Sequence, residues 1–217
     1  MIIDGYFFNT LCNISFYTTF VPLGAALYNY KYIGKPLKPI FLFVITAIVV
    51  EVITGILNWM GLNNFFLFHL FTIAEFSLFS LFYFNFFKRY FNSSWILIGI
   101  FIFMCIAFFD YKVNGLESMD DFSVSIECVI LVLYSLFLFY YVFQKLIFER
   151  LTEEPVFWIN SSVLLYFAGN LLLFVFSNDL LKTDIKKHLL LWGIIHSFCN
   201  MVFNLFLTIG FWKTRTR

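Results

Sequence analysis

Charged residues are scarce in this 217-residue chain. Only 12% of its residues are Asp, Glu, Lys or Arg, whereas 62% are hydrophobic, 34 are phenylalanine and the mean hydropathy is +0.89. A soluble domain cannot bury that much apolar surface. The formal net charge of +1 gives no indication of a nucleic-acid partner. The composition therefore predicts an all-α membrane protein whose main partner is the lipid bilayer.

Cysteine and proline are also rare, with four residues of each. The cysteines form no CxxC pair and all lie in apolar runs, which is typical of small buried side chains rather than metal ligands or disulfides. Three of the prolines, Pro36, Pro39 and Pro155, lie at the ends of apolar runs. We therefore expect the membrane helices to be continuous. The N-terminus lacks the basic and small-residue features of a cleaved signal peptide.

Seven apolar runs are long enough to cross a bilayer core, which requires about 20 helical residues. None of them has lysine or arginine in its central part. The sequence predicts a single domain, a seven-transmembrane-helix bundle, with spans at about 6–30, 39–61, 64–87, 94–113, 122–147, 156–178 and 188–212.

The positive charges predict the orientation, because lysine and arginine are retained on the cytoplasmic side of a membrane. Ten follow the odd-numbered spans: Lys31, Lys35, Lys38, Lys88, Arg89, Lys145, Arg150, Lys213, Arg215 and Arg217. The opposite side has four, Lys112, Lys182, Lys186 and Lys187, among acidic residues that include Asp110. We expect the N-terminus outside and the C-terminus in the cytoplasm of a multi-pass inner-membrane protein. The internal connections are too short for a catalytic domain, so any output needs a separate partner.

Five ionisable side chains lie deep in the predicted spans, where each costs roughly 2.5–3.5 kcal/mol to insert. They are Glu51, His69, Glu75, Glu127 and His196. Without a core lysine or arginine, the three carboxylates must be protonated, paired with histidine or bound to a cation. They indicate either a functional pocket or hydrogen-bonded structural carboxyls.

Polar residues also recur at helical spacing on five spans. The stripes are Glu51 and Asn58; His69 and Glu75; Ser162, Tyr166 and Asn170; Trp192, His196, Asn200 and Asn204; and Asn13 and Tyr17. Such stripes are equally typical of hydrogen bonds between membrane helices, at about 0.6 kcal/mol each. We predict an outward-facing ligand pocket without catalytic or metal-binding residues, formed by Glu51, Asn58, His69, Glu75, Glu127, Asn170, His196 and Asn200.

Other chemistries find less support in the residues. The last span has no central lysine, which excludes a retinal Schiff base. A membrane-embedded, metal-dependent lipid hydrolase would need three ligands such as His69, His196 and Glu75, and no motif supports that set. The same two histidines are a weak signal for haem, and the cofactor stays unknown. A small proton-coupled transporter is the third alternative, although transporters usually have interrupted helices near the substrate.

Three stretches carry a resemblance to a known group: HLFTIAEFSLFSLFYFNFFK, FWINSSVLLYFAGNLLLFVFS and LWGIIHSFCNMVFNLFLTIGFWK. They resemble small, largely uncharacterised bacterial seven-helix membrane proteins associated with sensor histidine kinases of two-component systems. The resemblance implies a membrane sensor that binds a small-molecule or lipid ligand and signals through a separate partner such as a histidine kinase. It assigns no residue a role.

Overall fold

Helices account for the regular secondary structure of the residues that the structure describes. The structure is a computed structural model, and it describes residues 5–115, 121–175 and 190–216, with no strand in those ranges. The predicted all-helical class is confirmed.

The long helices begin and end at polar or proline-containing connections. Asn63 Oδ1 accepts the Phe65 N–H at 2.8 Å and Asn92 Oδ1 accepts the Ser94 N–H at 3.1 Å, so an asparagine turn starts each of these helices. Pro155 starts another, at a position where its missing N–H costs nothing. The helices are α1 Gly5–Thr18, α2 Phe20–Tyr28, α3 Lys38–Trp59, α4 Phe65–Phe87, α5 Ser94–Asn114, α6 Asp121–Lys145, α7 Pro155–Val175 and α8 Ser197–Lys213.

Six helical stretches are long and apolar enough to cross a membrane, which indicates a multi-pass membrane protein. They are Thr10–Tyr28, Lys35–Trp59, Phe65–Phe87, Ser94–Lys112, Phe122–Lys145 and Gly193–Lys213, and each matches a predicted span. The remaining predicted span, 156–178, is helical over α7, whose 21 residues include no charged side chain and would extend about 31 Å. Residues 176–178 and 188–189 of the predicted spans lie outside the described residues.

The first span has one irregular residue within an apolar helical stretch that runs from Thr10 to Tyr28. That residue is Thr19, which separates α1 from α2 but keeps right-handed helical backbone angles, φ −63° and ψ −25°. Pro22 has no N–H to donate to the Thr18 carbonyl, and its ring crowds that carbonyl. The chain tightens instead: the Thr19 N–H bonds to Phe16 O at 3.2 Å, and the Thr18 hydroxyl donates to Ser15 O at 2.6 Å.

The last span is irregular as well. A π-helical turn covers Trp192–His196 and leads directly into α8. A π turn accommodates an extra residue in a helix and is frequently found at functional sites. The last span is therefore continuous but contains a π turn in place of regular α-helix at its start.

The chain forms two compact units, with the division inside α6. The central unit consists of Gly34–Glu127. Within it α4 packs against both α3 and α5, largely through phenylalanines. Phe79 lies 4.6 Å from Phe43 of α3, and Phe76 stacks on Phe103 of α5 at 4.0 Å, measured between ring centroids. These rings give α4 the largest buried share among the candidate spans.

The N/C unit consists of Met1–Ile33 and Cys128–Arg217. Here α8 packs against α1, α2 and, most extensively, α7. Two glycines permit the close approach of α7 and α8: Gly210 lies against Ile159, and Gly169 lies against Cys199. Such small residues are typical of membrane helix interfaces.

A reciprocal pair joins α6 to α7 within the same unit. The Ser135 hydroxyl donates to Asn160 O at 3.1 Å, and Asn160 Nδ2 donates to Ser135 O, also at 3.1 Å. Both residues are fully buried. Since each side chain bonds the backbone of the other helix, the pair fixes the position of α6 relative to α7 along the helix axes.

Candidate functional site

The eight predicted site residues divide between the two units. Five belong to the central unit and three to the N/C unit. In the central unit they are Glu51, Asn58, His69, Glu75 and Glu127, and in the N/C unit they are Asn170, His196 and Asn200.

In the central unit, α4 buries polar side chains among its phenylalanines. His69 and Glu75 are 7% and 8% exposed, and Thr72, midway between them, is 4% exposed. The spacing of three residues places all of them on neighbouring parts of one helix face. Thr72 was not among the predicted residues, because a threonine inside a span carries no charge that needs an explanation. Glu51, on α3, is half-buried.

Asn58 has a structural partner close in sequence. It is exposed, and its Oδ1 accepts a 3.0 Å hydrogen bond from Asn64 Nδ2 across the connection between α3 and α4. This bond closes the turn between the two helices. The assignment of Asn58 to a ligand pocket gains no support from its position.

Two buried acidic residues lie near the end of α5 and the beginning of α6. Asp110, which the charge count grouped with external loop residues, is 2% exposed within α5. Its Oδ2 accepts the Ser123 backbone N–H at 3.1 Å and the Ser123 hydroxyl at 2.6 Å, so the carboxylate caps the first turn of α6. Glu127 follows one turn later on the same face and is 1% exposed. The sequence analysis named Glu127 as a site residue, but nothing in the spacing indicated the contact between Asp110 and Ser123.

In the N/C unit, hydrogen bonds between polar side chains connect α1 to α8. Asn200 Nδ2 donates to Ser15 Oγ at 2.9 Å, and Asn204 Nδ2 lies 3.3 Å from Thr18 Oγ1 and 3.5 Å from Thr19 Oγ1. Asn204 also donates to Asn200 Oδ1 at 3.3 Å. We call these five residues the polar ladder. It includes the predicted residue Asn200 and begins one turn after His196.

The predicted polar face of the first span is wrong. Asn13 and Tyr17 are exposed, and Tyr17 is 68% exposed. The side of α1 that contacts α8 instead presents Ser15 and the threonines of the polar ladder. A spacing of four residues fixes which side chains share a face, but it does not fix which face meets another helix.

His196 ends the π-helical turn beside α7. Its ring contacts Tyr166 edge-to-face, with the centroids 5.9 Å apart. One turn along α7, Asn170 is fully buried and its Nδ2 donates to Tyr166 O at 2.8 Å. No residue in the described ranges donates a hydrogen bond to Asn170 Oδ1. Tyr166, which belonged to a predicted stripe, thus contacts the predicted residue His196 through its ring and the predicted residue Asn170 through its backbone carbonyl.

These side chains suit a ligand with both polar and apolar parts. Imidazole can donate or accept a hydrogen bond, the Asn170 amide oxygen is an acceptor, and the Tyr166 ring provides an apolar surface. Among residues 5–115, 121–175 and 190–216, no three His, Cys, Asp or Glu side chains lie together in a group that could hold a metal ion. The described side chains therefore give no support to the metal-dependent alternative.

The chain matches no protein-family model, no curated protein and no solved structure. Its function has to be argued from its own residues.

Proposed function

We propose that the chain crosses a bacterial inner membrane seven times, with the N-terminus outside and the C-terminus in the cytoplasm. The six apolar stretches and the uncharged α7 supply the seven spans. Short connections of the odd-numbered spans carry lysine and arginine, at Lys31, Lys88 and Arg150 among others, and such residues are retained inside.

The orientation can be tested with two matched cysteine variants, Asn63→Cys and Asn92→Cys. Both asparagines are exposed and both cap the helix that follows, so the two substitutions disturb the fold alike. We expect a membrane-impermeant maleimide to label position 63 in intact cells, and position 92 only after permeabilisation. The wild-type chain, whose cysteines lie in helices, is the background control. Labelling of both positions from outside would contradict the seven-span orientation.

We further propose that the protein is a membrane sensor that binds a small-molecule or lipid ligand and signals through a separate partner, such as a histidine kinase. The observation that carries this proposal is the contact between His196, at the end of a π turn, and Tyr166 beside the buried Asn170. An irregular turn next to buried polar groups is typical of a binding site rather than of a purely structural helix.

The helix that follows supplies the route for the signal. α8 runs without interruption from Ser197 to Lys213, and it is joined to α1 by the polar ladder. Hydrogen bonds between membrane helices contribute only about 0.6 kcal/mol each, so the ladder can rearrange at low cost. A ligand that favours one packing of the π turn would shift the population of α8 positions. The partner would detect that shift at the basic end of α8.

Protein reconstituted in lipid nanodiscs, with a library of polar small molecules and lipids, provides the test. At a ligand concentration of roughly 100 times Kd we expect a stabilisation of about 2.7 kcal/mol, or on the order of 5–10 °C in Tm. The variants His196→Phe and Asn170→Leu keep the side-chain volume and should lose this shift. Phe198→Leu, at an exposed position on the next turn, should retain it.

The same preparation separates the sensor from its rivals. If no compound distinguishes the wild type from the two site variants, the sensor proposal is wrong. The transporter alternative has one observation in its favour, because transport proteins commonly have irregular helices near the substrate and the last span has a π turn at Trp192–His196. Accumulation of the stabilising compound in proteoliposomes under a proton gradient would favour transport, and binding without accumulation would favour sensing.

A further inference from the structure

An exposed cluster of aromatic and cationic side chains lies where α2 and α8 end. Tyr28 is the last residue of α2, and its ring stacks on Trp212 with a centroid distance of 5.8 Å and an interplanar angle of 10°. Arg215 lies just beyond α8, and its Nη1 donates to the Tyr28 hydroxyl at 3.0 Å. Tyr28 and Trp212 are 65% and 58% exposed. Rings of this size and exposure are available for contact with a molecule outside the chain.

The position of this cluster is that of a membrane boundary. Tyr28 ends one apolar stretch, three residues before Lys31, and Trp212 is the last residue but one of another stretch, next to Lys213. Tyrosine and tryptophan are enriched at this depth, because the ring lies against the acyl and glycerol region while the polar atom reaches the headgroups. The stacked pair is therefore suited to lie along a lipid molecule.

Arg215 is held in a fixed orientation above the stack. Its guanidinium carbon lies 5.7 Å from the centroid of the Tyr28 ring, in addition to the hydrogen bond to the hydroxyl. A guanidinium group has five N–H donors, and the bond to Tyr28 is the one it makes with the part of the chain that the structure describes. The other donors are exposed, and their planar arrangement matches two oxygens of a phosphate group.

The charge of the two segments that carry the cluster favours an anionic lipid over a zwitterionic one. The segments next to the cluster, residues 29–37 and 205–217, contain lysines and arginines and no aspartate or glutamate. A positive surface at the membrane boundary attracts anionic headgroups and disfavours the choline group of phosphatidylcholine. We propose that Tyr28, Trp212 and Arg215 form a binding site for the phosphate headgroup of an anionic phospholipid. The site is independent of the ligand site at His196.

Fluorescence of Trp212 reports directly on an occupant of this site. The full-length protein is reconstituted in phosphatidylcholine vesicles that contain a small fraction of chain-brominated phosphatidylglycerol or chain-brominated phosphatidylcholine. Because bromine quenches tryptophan on contact, the difference between wild type and Trp212→Phe isolates the quenching of Trp212 from that of the other tryptophans. We expect phosphatidylglycerol to be preferred at Trp212 by about five- to tenfold.

Three variants separate a built site from general attraction to a basic surface. Arg215→Gln should reduce the preference to within about twofold. Arg150→Gln removes the same charge from an exposed residue paired with Glu153 and should leave the preference unchanged. Tyr28→Phe keeps the stacked ring but loses the hydroxyl that orients Arg215, so an intermediate preference is expected.

Several results would overturn the proposal. Equal quenching by the two brominated lipids would show an ordinary lipid boundary without selectivity. Equal losses in Arg215→Gln and Arg150→Gln would show attraction to overall charge rather than to a site. Displacement of the lipid by millimolar glycerol phosphate would identify a soluble phosphate ester as the occupant in place of the lipid.

Discussion

Replacing Gly210 with leucine is expected to lower the free energy of unfolding by about 3 kcal/mol. A Cβ atom at this position would lie 2.7 Å from Ile159 Cγ1 and 3.3 Å from the Pro155 carbonyl oxygen. Ile159 is fully buried and the carbonyl belongs to the backbone of α7, so neither can move unless α7 and α8 separate. Unfolding in mixed micelles by titration with SDS, followed by near-ultraviolet circular dichroism, measures the loss.

Gly24 provides the matched control in the same unit. It is exposed, and a Cβ atom added there meets nothing within 4 Å. Gly24→Leu should therefore change the free energy of unfolding by no more than about 0.5 kcal/mol. If the two leucine variants were destabilised equally, close packing of α7 on α8 would not be the reason for glycine at position 210.

The substitution Gly169→Ala is expected to cost about 2 kcal/mol, and Cys199→Ala should restore most of that loss. A Cβ atom at Gly169 would lie 2.7 Å from Cys199 Sγ but 4.0 Å from Cys199 Cβ. Removal of the sulfur therefore creates the space that the new methyl group needs. The contact lies between the turns that carry Tyr166 and His196, so the single variant should also weaken the response to a ligand at that site.

A double-mutant cycle measures this coupling in the same unfolding experiment. We expect Cys199→Ala alone to cost about 1 kcal/mol, and the double variant to be more stable than the two single effects predict by at least about 2 kcal/mol. Losses that simply add would mean that Gly169 and Cys199 do not compete for the same space. Binding of a stabilising compound should recover together with stability in the double variant.

The positions of the helices could be predicted from the sequence with small errors. The predicted spans 64–87 and 94–113 correspond to Phe65–Phe87 and Ser94–Lys112. This agreement has a physical cause. Every backbone polar group in a lipid environment must be satisfied within the element, so a long apolar run has few alternatives to a helix.

The two helix irregularities could not be predicted from composition and residue spacing. Pro22 was visible in the sequence, but the compensation by the Thr18 and Thr19 hydroxyls depends on their bonds to Ser15 O. The π turn at Trp192–His196 contains no proline, and its single glycine does not show where the turn begins or ends. Such turns depend on how neighbouring helices pack, and a single sequence does not contain that information.

The residue types at the candidate site could be predicted from the sequence, but the contacts that their side chains make could not. Burial of His69, Glu75 and Glu127 follows the expectation for ionisable groups in a span. The contacts of these side chains could not be predicted from their spacing, because the contacts depend on how each helix is rotated about its axis. Asp110 illustrates the point: its sequence position near the end of a span resembles a loop residue, yet its carboxylate caps α6 inside the protein.

The arrangement of the two units has a consequence for biosynthesis. The central unit is one continuous segment, whereas the N/C unit combines two segments that are far apart along the chain. During translation α1 and α2 must therefore enter the membrane long before α8 exists. Their stretch, with a mean hydropathy of 1.2, is the least apolar of the six, and its polar ladder residues cannot form their bonds to α8 before Asn200 and Asn204 have been synthesised. We therefore expect the packing of α1 against α8 to be a late and slow step in folding of the N/C unit.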